Sequence, residues 1–229
     1  MKIHRFIIAD FDLQGKKIEN KTLVHQMTRV LKLRRGEAFI LCDGMNHEVE
    51  AVIDDFDDRS LSYSVTRSRD YIENTDIRCV LVCSILKKEN FELVVQKAVE
   101  LGVTEIVPMI TSRTVKIGLR MDRLHVIARE AAEQSGRGIV PVISEVIDIE
   151  RLPEIFVDFN NKYVCHISDE ADGNFKKQGS DAVVAVGPEG GFEDREVELL
   201  KDAGFKILSL SNFTLRAETA AIVAISKIT

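Results

Sequence analysis

VAVGPEGGFEDREVELL, Val184–Leu200, is the stretch on which the fold turns. A run of small and β-branched apolar residues ends at Gly187, and its continuity suits a strand buried on both faces. The chain then turns through Pro188-Glu189-Gly190-Gly191, and a helix starts near Glu193. A buried strand that passes straight into a helix is the repeating step of an α/β domain: a mostly parallel sheet with helices on both faces.

The same alternation extends outward from this stretch, back to residue 77 and on to the end. Upstream lie IRCVLVCSIL (77–86), the helical ENFELVVQKAVELG (89–102), EIVPMI (105–110), DRLHVIAREAAEQSG (122–136), VPVISEV (140–146) and YVCHIS (163–168). Downstream lie the rest of the helix to Gly204, then KILSLS (206–211) and AETAAIVAISKI (217–228). Gly102 and Gly204 stand where helices end in a left-handed cap. Sheets of this class bind ligands beyond the carboxyl ends of their strands, so those loops are where chemistry is sought.

Residues 1–70 have a different texture. HRFIIA (4–9), EAFILCDG (37–44), HEVEAVIDDF (47–56) and SLSYSVTRS (60–68) read as short strands around a helix-like VHQMTRVLKL (24–33). EAFIL and HEVEAVI alternate with period two, and Asp43-Gly44 is a turn signal. A small all-β barrel is expected, joined to the α/β domain through the charged stretch Arg67–Asp76. No internal repeat or low-complexity tract interrupts either part.

Composition sets limits on function. With 45% hydrophobic and 30% charged residues the chain is an ordinary globular one, and its 229 residues suit a small domain before a medium one. The apolar run in MKIHRFIIAD is too short for a signal peptide, and no later run approaches the roughly 20 residues of a membrane helix. Cys42, Cys79, Cys83 and Cys165 form no disulfide framework and no metal-ligand spacing, and read as small buried hydrophobes in a reducing cytoplasm. A net charge of −6 excludes a chain that is basic throughout. Nucleic-acid binding would have to rest on local clusters: Arg29, Lys32, Arg34 and Arg35, or Arg113, Lys116, Arg120, Arg123 and Arg137. Solvated helix faces are the plainer use of such charges.

Three strand-end loops carry candidate chemistry. The glycines of 187–191 let backbone approach a ligand without Cβ interference. A phosphate cradle is the obvious rival, but Glu189, Glu193, Asp194 and Glu196 would repel an anion there, and no Lys-Ser/Thr follows the glycines. A neutral or cationic ligand, such as a sulfonium, fits better; a tight structural turn is the plainer alternative. The second loop, Asn212–Thr219, puts Arg216 and Glu218 at the mouth of a helix that is apolar nearly all round. Charges there cost free energy unless they are used, or paired with each other. The third candidate is His166, at the end of its strand, where a hydrogen-bonded core histidine is the plainer alternative.

At these residues the chain resembles a known family. GPEGGF (187–192) followed by LSLSNFTLRAETAA (208–221) is similar to the signature of the ribosomal small-subunit RNA uridine-N3 methyltransferases, members of the knotted SPOUT superfamily. ENFELVVQKAVELGVTEIVPMITSRT (89–114), AAEQSGRGIVPVI (131–143) and, near the start, HRFII and VHQMTRVLKLRRGE extend the resemblance over nearly the whole chain. Ser211 stands where the family usually has glycine, Asn212-Phe213-Thr214 where it has Pro-Arg-Ile, Glu193 where a Ser or Thr caps the helix, and Gln26 where a histidine is common.

The resemblance implies a PUA-like RNA-binding barrel over 1–72 and a methyltransferase domain with a C-terminal trefoil knot over 73–229. It implies S-adenosylmethionine held by His166, Ile167, Gly187, Pro188, Glu189, Gly190, Gly191, Leu210, Ser211 and Leu215. Arg216 would stabilise the charge that develops on the uracil, with Glu218 orienting it or relaying the proton. Arg113 and Arg137 would meet phosphates or the base, and Arg5, Arg29, Lys32, Arg34 and Arg35 the RNA backbone. Implied partners are 16S ribosomal RNA in the small ribosomal subunit and a second copy bound through the knot; no metal or membrane is implied, and the location is cytoplasmic. Two further readings stand beside it: a non-catalytic RNA-binding or assembly factor with a decayed cofactor loop, and a dinucleotide-dependent enzyme weakened by the acidic helix start.

Overall fold

The structure, a computed structural model, describes residues 3–8, 16–45, 47–70, 77–115, 118–168 and 181–229. The chain folds into two compact units, residues 1–73 with 132–140 and residues 74–131 with 141–229.

In the first unit the period-two runs become strands. The described strands are β1 (His4–Ile7), β2 (Lys17–Ile18), β3 (Ala38–Cys42), β4 (His47–Phe56) and β5 (Leu61–Asp70), in the spatial order β1-β3-β4-β5-β2. β3, β4 and β5 pair antiparallel, while β1 joins β3 in parallel. The Asp43 carboxylate accepts the Met45 and His47 amides at 2.7 and 3.1 Å, which makes the Asp-Gly turn a hydrogen-bonded corner. Between β2 and β3 the chain forms α1 (Lys21–His25), capped by Asn20, and then a π-helical turn over Gln26–Val30. Phe6, Phe39, Leu41, Ile53 and Tyr63 pack with Val24 and Met27 into one core. The unit thus includes a helical segment that the all-β expectation understated, because Val24 and Met27 bury in this core at helical spacing. Residues 132–140 belong to this unit: Ile139 bridges Met45, Val140 donates to the Gly44 carbonyl at 3.1 Å, and the Ile7 amide donates to Glu133 at 2.8 Å. Of the expected linker, Arg67–Asp70 continue β5 and 71–76 lie outside the described residues.

The second unit carries β6 (Cys79–Ser84), α2 (Lys88–Glu100), β7 (Glu105–Ile110), α3 (Met121–Ser135, whose last four residues cluster with the first unit), β8 (Val142–Ile143) and β9 (Ile147–Asp148). α4 (Leu152–Ile155), β10 (Asn161–Cys165), β11 (Ala182–Val186), α5 (Asp194–Asp202), β12 (Lys206–Leu208) and α6 (Ala217–Ile228) follow. The strands lie in the order β12-β10-β11-β6-β7-β8, with β9 also on β7, and every described pairing is parallel. β6 and β11 are buried along their whole length, as their unbroken apolar runs require of central strands. Val80, Val82, Val183 and Ala185 on one face pack with Phe192, Val197, Leu200 and Phe205 of the β11–β12 connection. Of the run VPVISEV only Val142–Ile143 form a strand, β8, and β9 starts just beyond the run at Ile147. Arg78 and Asp181, next to the starts of β6 and β11, are joined at 2.7 Å, and the Arg78 backbone amide, followed by its guanidinium, holds the Asp181 carboxyl below its usual pKa. Strand order brings the ends of β10, β11 and β12 to one edge of the sheet, and α6 packs against β6, β11 and α2 beside them. Four cysteines are free, three of them buried.

Candidate active site

A cavity of about 810 Å³ opens at the carboxyl ends of these strands. Three loops build it, and each comes from one of the stretches singled out above. Cys165, His166 and Ile167 leave β10; Val186–Phe192 leave β11; Leu208, Leu210, Ser211 and Phe213–Ala217 join β12 to α6. His166, Ile167, Gly187, Pro188, Glu189, Gly190, Gly191, Leu210, Ser211 and Leu215 therefore share one cavity, with Arg113, Arg216 and Glu218 among its lining. A pocket of this size lies in the range that encloses a cofactor-sized molecule.

The glycine wall is shaped by close approach. A Cβ on Gly187 would sit 3.1 Å from the Phe192 ring and 3.3 Å from its backbone nitrogen, so a side chain there would press Phe192 aside by a few tenths of an ångström. A Cβ on Gly190 would come 3.3 Å from Arg113 Cδ, and the Arg113 guanidinium donates to the Gly190 carbonyl at 2.7 Å. Gly191 has φ of +68°, a left-handed conformation that glycine adopts without strain. Arg113 is thus a brace for the glycine loop, and its contact is with protein backbone.

The acidic residues around α5 divide by role. Glu189 and Asp194 line the cavity. Glu196 turns inward: it is buried, and its two oxygens accept the Ser112 and Glu193 amides at 2.8 and 2.7 Å. That carboxylate caps its own helix and ties it to the loop after β7 that carries Arg113. Glu193 takes the N-cap position, and Arg195 donates to its carboxylate at 2.8 Å. Of the four acids expected to disfavour an anion, Glu189 and Asp194 are the two that line the cavity.

Arg216 is the exposed N-cap of α6, and Glu218, in its first turn, is 9% exposed. No ion pair joins them among the described residues, so the plainer alternative of a mutual salt bridge is absent from this geometry. His166 is half-buried at the cavity wall. Burial of its sulfur pushes the Cys165 thiol up to about 12, which keeps it protonated at neutral pH.

Lys87 and Asn90 also line the cavity, from the loop after β6 and the start of α2. Sequence reasoning passed over them, although the rule that ligands bind at strand ends applies to β6 as well; ILKKEN has no glycine to draw the eye. The Lys87 amide reaches the Glu189 carboxylate at 3.4 Å, a weak contact.

The cations expected to meet RNA are placed unequally. Arg29, Lys32, Arg34 and Arg35 are exposed on the first unit, with Arg29 paired to Asp58 at 2.8 Å and Arg35 to Asp55. Such solvent-screened surface pairs contribute little to stability, so they do not bar these cations from phosphate. Arg5 instead forms an ion pair with the buried Glu48, where it neutralises a carboxylate inside the unit. Arg137 is 6% exposed, and its burial withdraws it from any RNA-facing surface. Arg120 and Arg123 face Asp122 and Glu92 at 2.9 and 3.6 Å, the solvated pairing expected of a helix face; Lys116 lies outside the described residues. Among the described residues no helix is long and apolar enough to cross a membrane.

Comparison with known proteins bears on this site. A family model described as an RNA methyltransferase domain matches residues 73–229. Ribosomal RNA small subunit methyltransferase E of Rickettsia conorii is 32% identical over 240 residues, covering 100% of this chain and 96% of the relative. The Bacillus subtilis protein of the same name is 27% identical over 220 residues, covering 90% and 86%. The crystal structure of a ribosomal RNA small subunit methyltransferase E from Neisseria gonorrhoeae, bound to S-adenosyl methionine, superposes with a TM-score of 0.84 at 27% identity. That match covers 98% of this chain and 96% of the other. With a relative above 30% identity along its full length and the family's domain over most of its residues, the chain belongs to the ribosomal RNA small subunit methyltransferase E family.

Proposed function

We propose that the chain transfers a methyl group from S-adenosylmethionine to N3 of a uridine in 16S ribosomal RNA, acting on the small ribosomal subunit in the cytoplasm. The observation that carries this reading is the single cavity in which a glycine-lined strand end meets Arg216, the exposed N-cap of α6. Family membership and the cofactor bound in the Neisseria gonorrhoeae relative support it.

The residues present fit such a cofactor. Glu189, Asp194 and Glu218 are balanced in the lining by Lys87, Arg113 and Arg216, which suits a molecule bearing charges of both signs. Gly187, Gly190 and Leu210 line the wall against which it would lie. Bound there, S-adenosylmethionine supplies an electrophilic methyl on sulfur.

The chain's own residues do the rest. Arg216 donates to a uracil carbonyl beside N3 and holds the negative charge that grows as the N3 proton leaves; one such fixed donor is worth about 3 kcal/mol of barrier. Glu218, two residues along the same helix start, receives that proton or orients Arg216. N3 lies on the pairing edge of the base, so the uridine has to be drawn out of its stack before it reaches the cavity. Arg29, Lys32, Arg34 and Arg35 hold the RNA backbone from a PUA-like barrel formed by the first unit.

The last segment of the chain passes through a preceding loop as a trefoil knot, which places Leu215 against the glycine wall. Through it two copies associate, using the half-buried Ile222 and Val223 of α6. Sedimentation at micromolar concentration should give a dimer; a monomer there contradicts the knot-mediated contact. Transfer of labelled methyl from S-adenosylmethionine to unmodified small-subunit RNA tests the activity itself. RNA binding without any transfer would favour an assembly factor instead.

A further inference from the structure

Phe213 is the most exposed of the large hydrophobic side chains among the described residues, at 80%, and it lines the rim of the cavity. Its position is built. The Phe213 amide donates to Ser211 Oγ at 3.1 Å, which tightens the turn that presents the ring, and its neighbours Asn212 and Thr214 are exposed polar residues. Leu215, two residues on, is half-buried, so the loop separates an inward leucine from an outward phenylalanine. Ile167, 65% exposed, lines the same cavity from the β10 loop. Isolated exposed apolar residues are commonplace, but two on the rim of one cavity, beside an exposed arginine, are a feature of the site.

An extruded pyrimidine loses the stacking of both neighbours, and proteins that hold unstacked bases replace it with aromatic faces. The cofactor's walls, the buried Gly187 and the half-buried Leu210, lie deeper than the ring. Resting on the proposed function above, we propose that Phe213 is a positioning residue on which the target uracil stacks, with Arg216 addressing its edge. Its ring then sets how well RNA is held at the cavity, and leaves cofactor affinity alone.

The sequence contains no tryptophan, so Phe213→Trp introduces a single tryptophan whose emission is excited selectively over that of the three tyrosines. Small-subunit RNA should quench its emission, and S-adenosylmethionine alone should not. In transfer assays Phe213→Ala should raise KM for RNA about tenfold with cofactor affinity unchanged. Phe213→Tyr and Phe213→Trp should restore KM to within about threefold, which Phe213→Leu should not. Quenching by the cofactor alone, no quenching by RNA, or a blue-shifted emission that grows with protein concentration and marks burial against a second copy overturns the assignment. The fluorescence readout needs no turnover. A wild-type chain that methylates nothing would therefore sink the proposed activity, while the quenching still decides the role of Phe213.

Discussion

Arg216→Ala is expected to lower kcat about a hundred- to a thousandfold while S-adenosylmethionine binds within about twofold of wild type. The guanidinium sits at the exposed N-cap of α6 on the cavity, with no ion pair to Glu218, so its donors are available to a substrate carbonyl. A donor used only as charge develops contributes to the transition state and little to the ground state, which is why turnover falls and affinity does not. The Arg216 carbonyl still accepts the Ala220 amide at 2.8 Å, a backbone contact that alanine retains, so α6 should keep its start. Arg216→Lys keeps the charge but loses the two-pronged geometry and should recover only part of the rate. Turnover within threefold of wild type in Arg216→Ala would remove Arg216 from the chemistry.

The second large effect is on stability. Glu196→Ala is expected to cost about 2–4 kcal/mol, because the Ser112 and Glu193 amides would lose their acceptor inside the protein. That loss should lower the midpoint of urea unfolding by roughly 0.7–1.3 M at a slope of about 3 kcal/mol per M. Glu196→Gln retains one acceptor oxygen and presents an NH2 where the second amide needs an acceptor, so it should fall between wild type and alanine. A midpoint for Glu196→Ala within about 0.2 M of wild type would show that the buried carboxylate contributes nothing to the link between the β7 loop and α5. Because that link also carries Arg113 to the Gly190 carbonyl, weaker cofactor binding in the same variant is the expected companion effect.

How much of this could be read from residues alone varies with the range of the interactions. Val184–Leu200 was legible because an unbroken apolar run, a Pro-Gly turn and a helix start are all local signals; β11 and α5 follow in that order. AETAAIVAISKI became α6 at the same residues, 217–228. The meeting of the 187–191 and 210–215 loops came from the family resemblance and the rule for strand ends, since nothing in local sequence reports that β12 lies beside β10. By its position Glu196 counts among the acids at the helix start that repel an anion; its burial depends on a Ser112 amide 84 residues away, which no pattern of spacing reveals. The same holds for Arg5 against Glu48 and for residues 132–140, which pair with the first unit through Met45 and Gly44. Lys87 and Asn90 were missed for a different reason: their loop has ordinary residues, and only its place beside β11 makes it part of the site.

Everything proposed for this chain requires that a methyl donor in the strand-end cavity act on the pairing edge of an extruded uracil. Incubating the chain with unmodified small-subunit RNA, as free RNA and as subunits, and methyl-labelled S-adenosylmethionine, then digesting to nucleosides, addresses that requirement at once. The expected product is 3-methyluridine at a single site. Label on a ribose or a ring carbon, or no label at all, would contradict it.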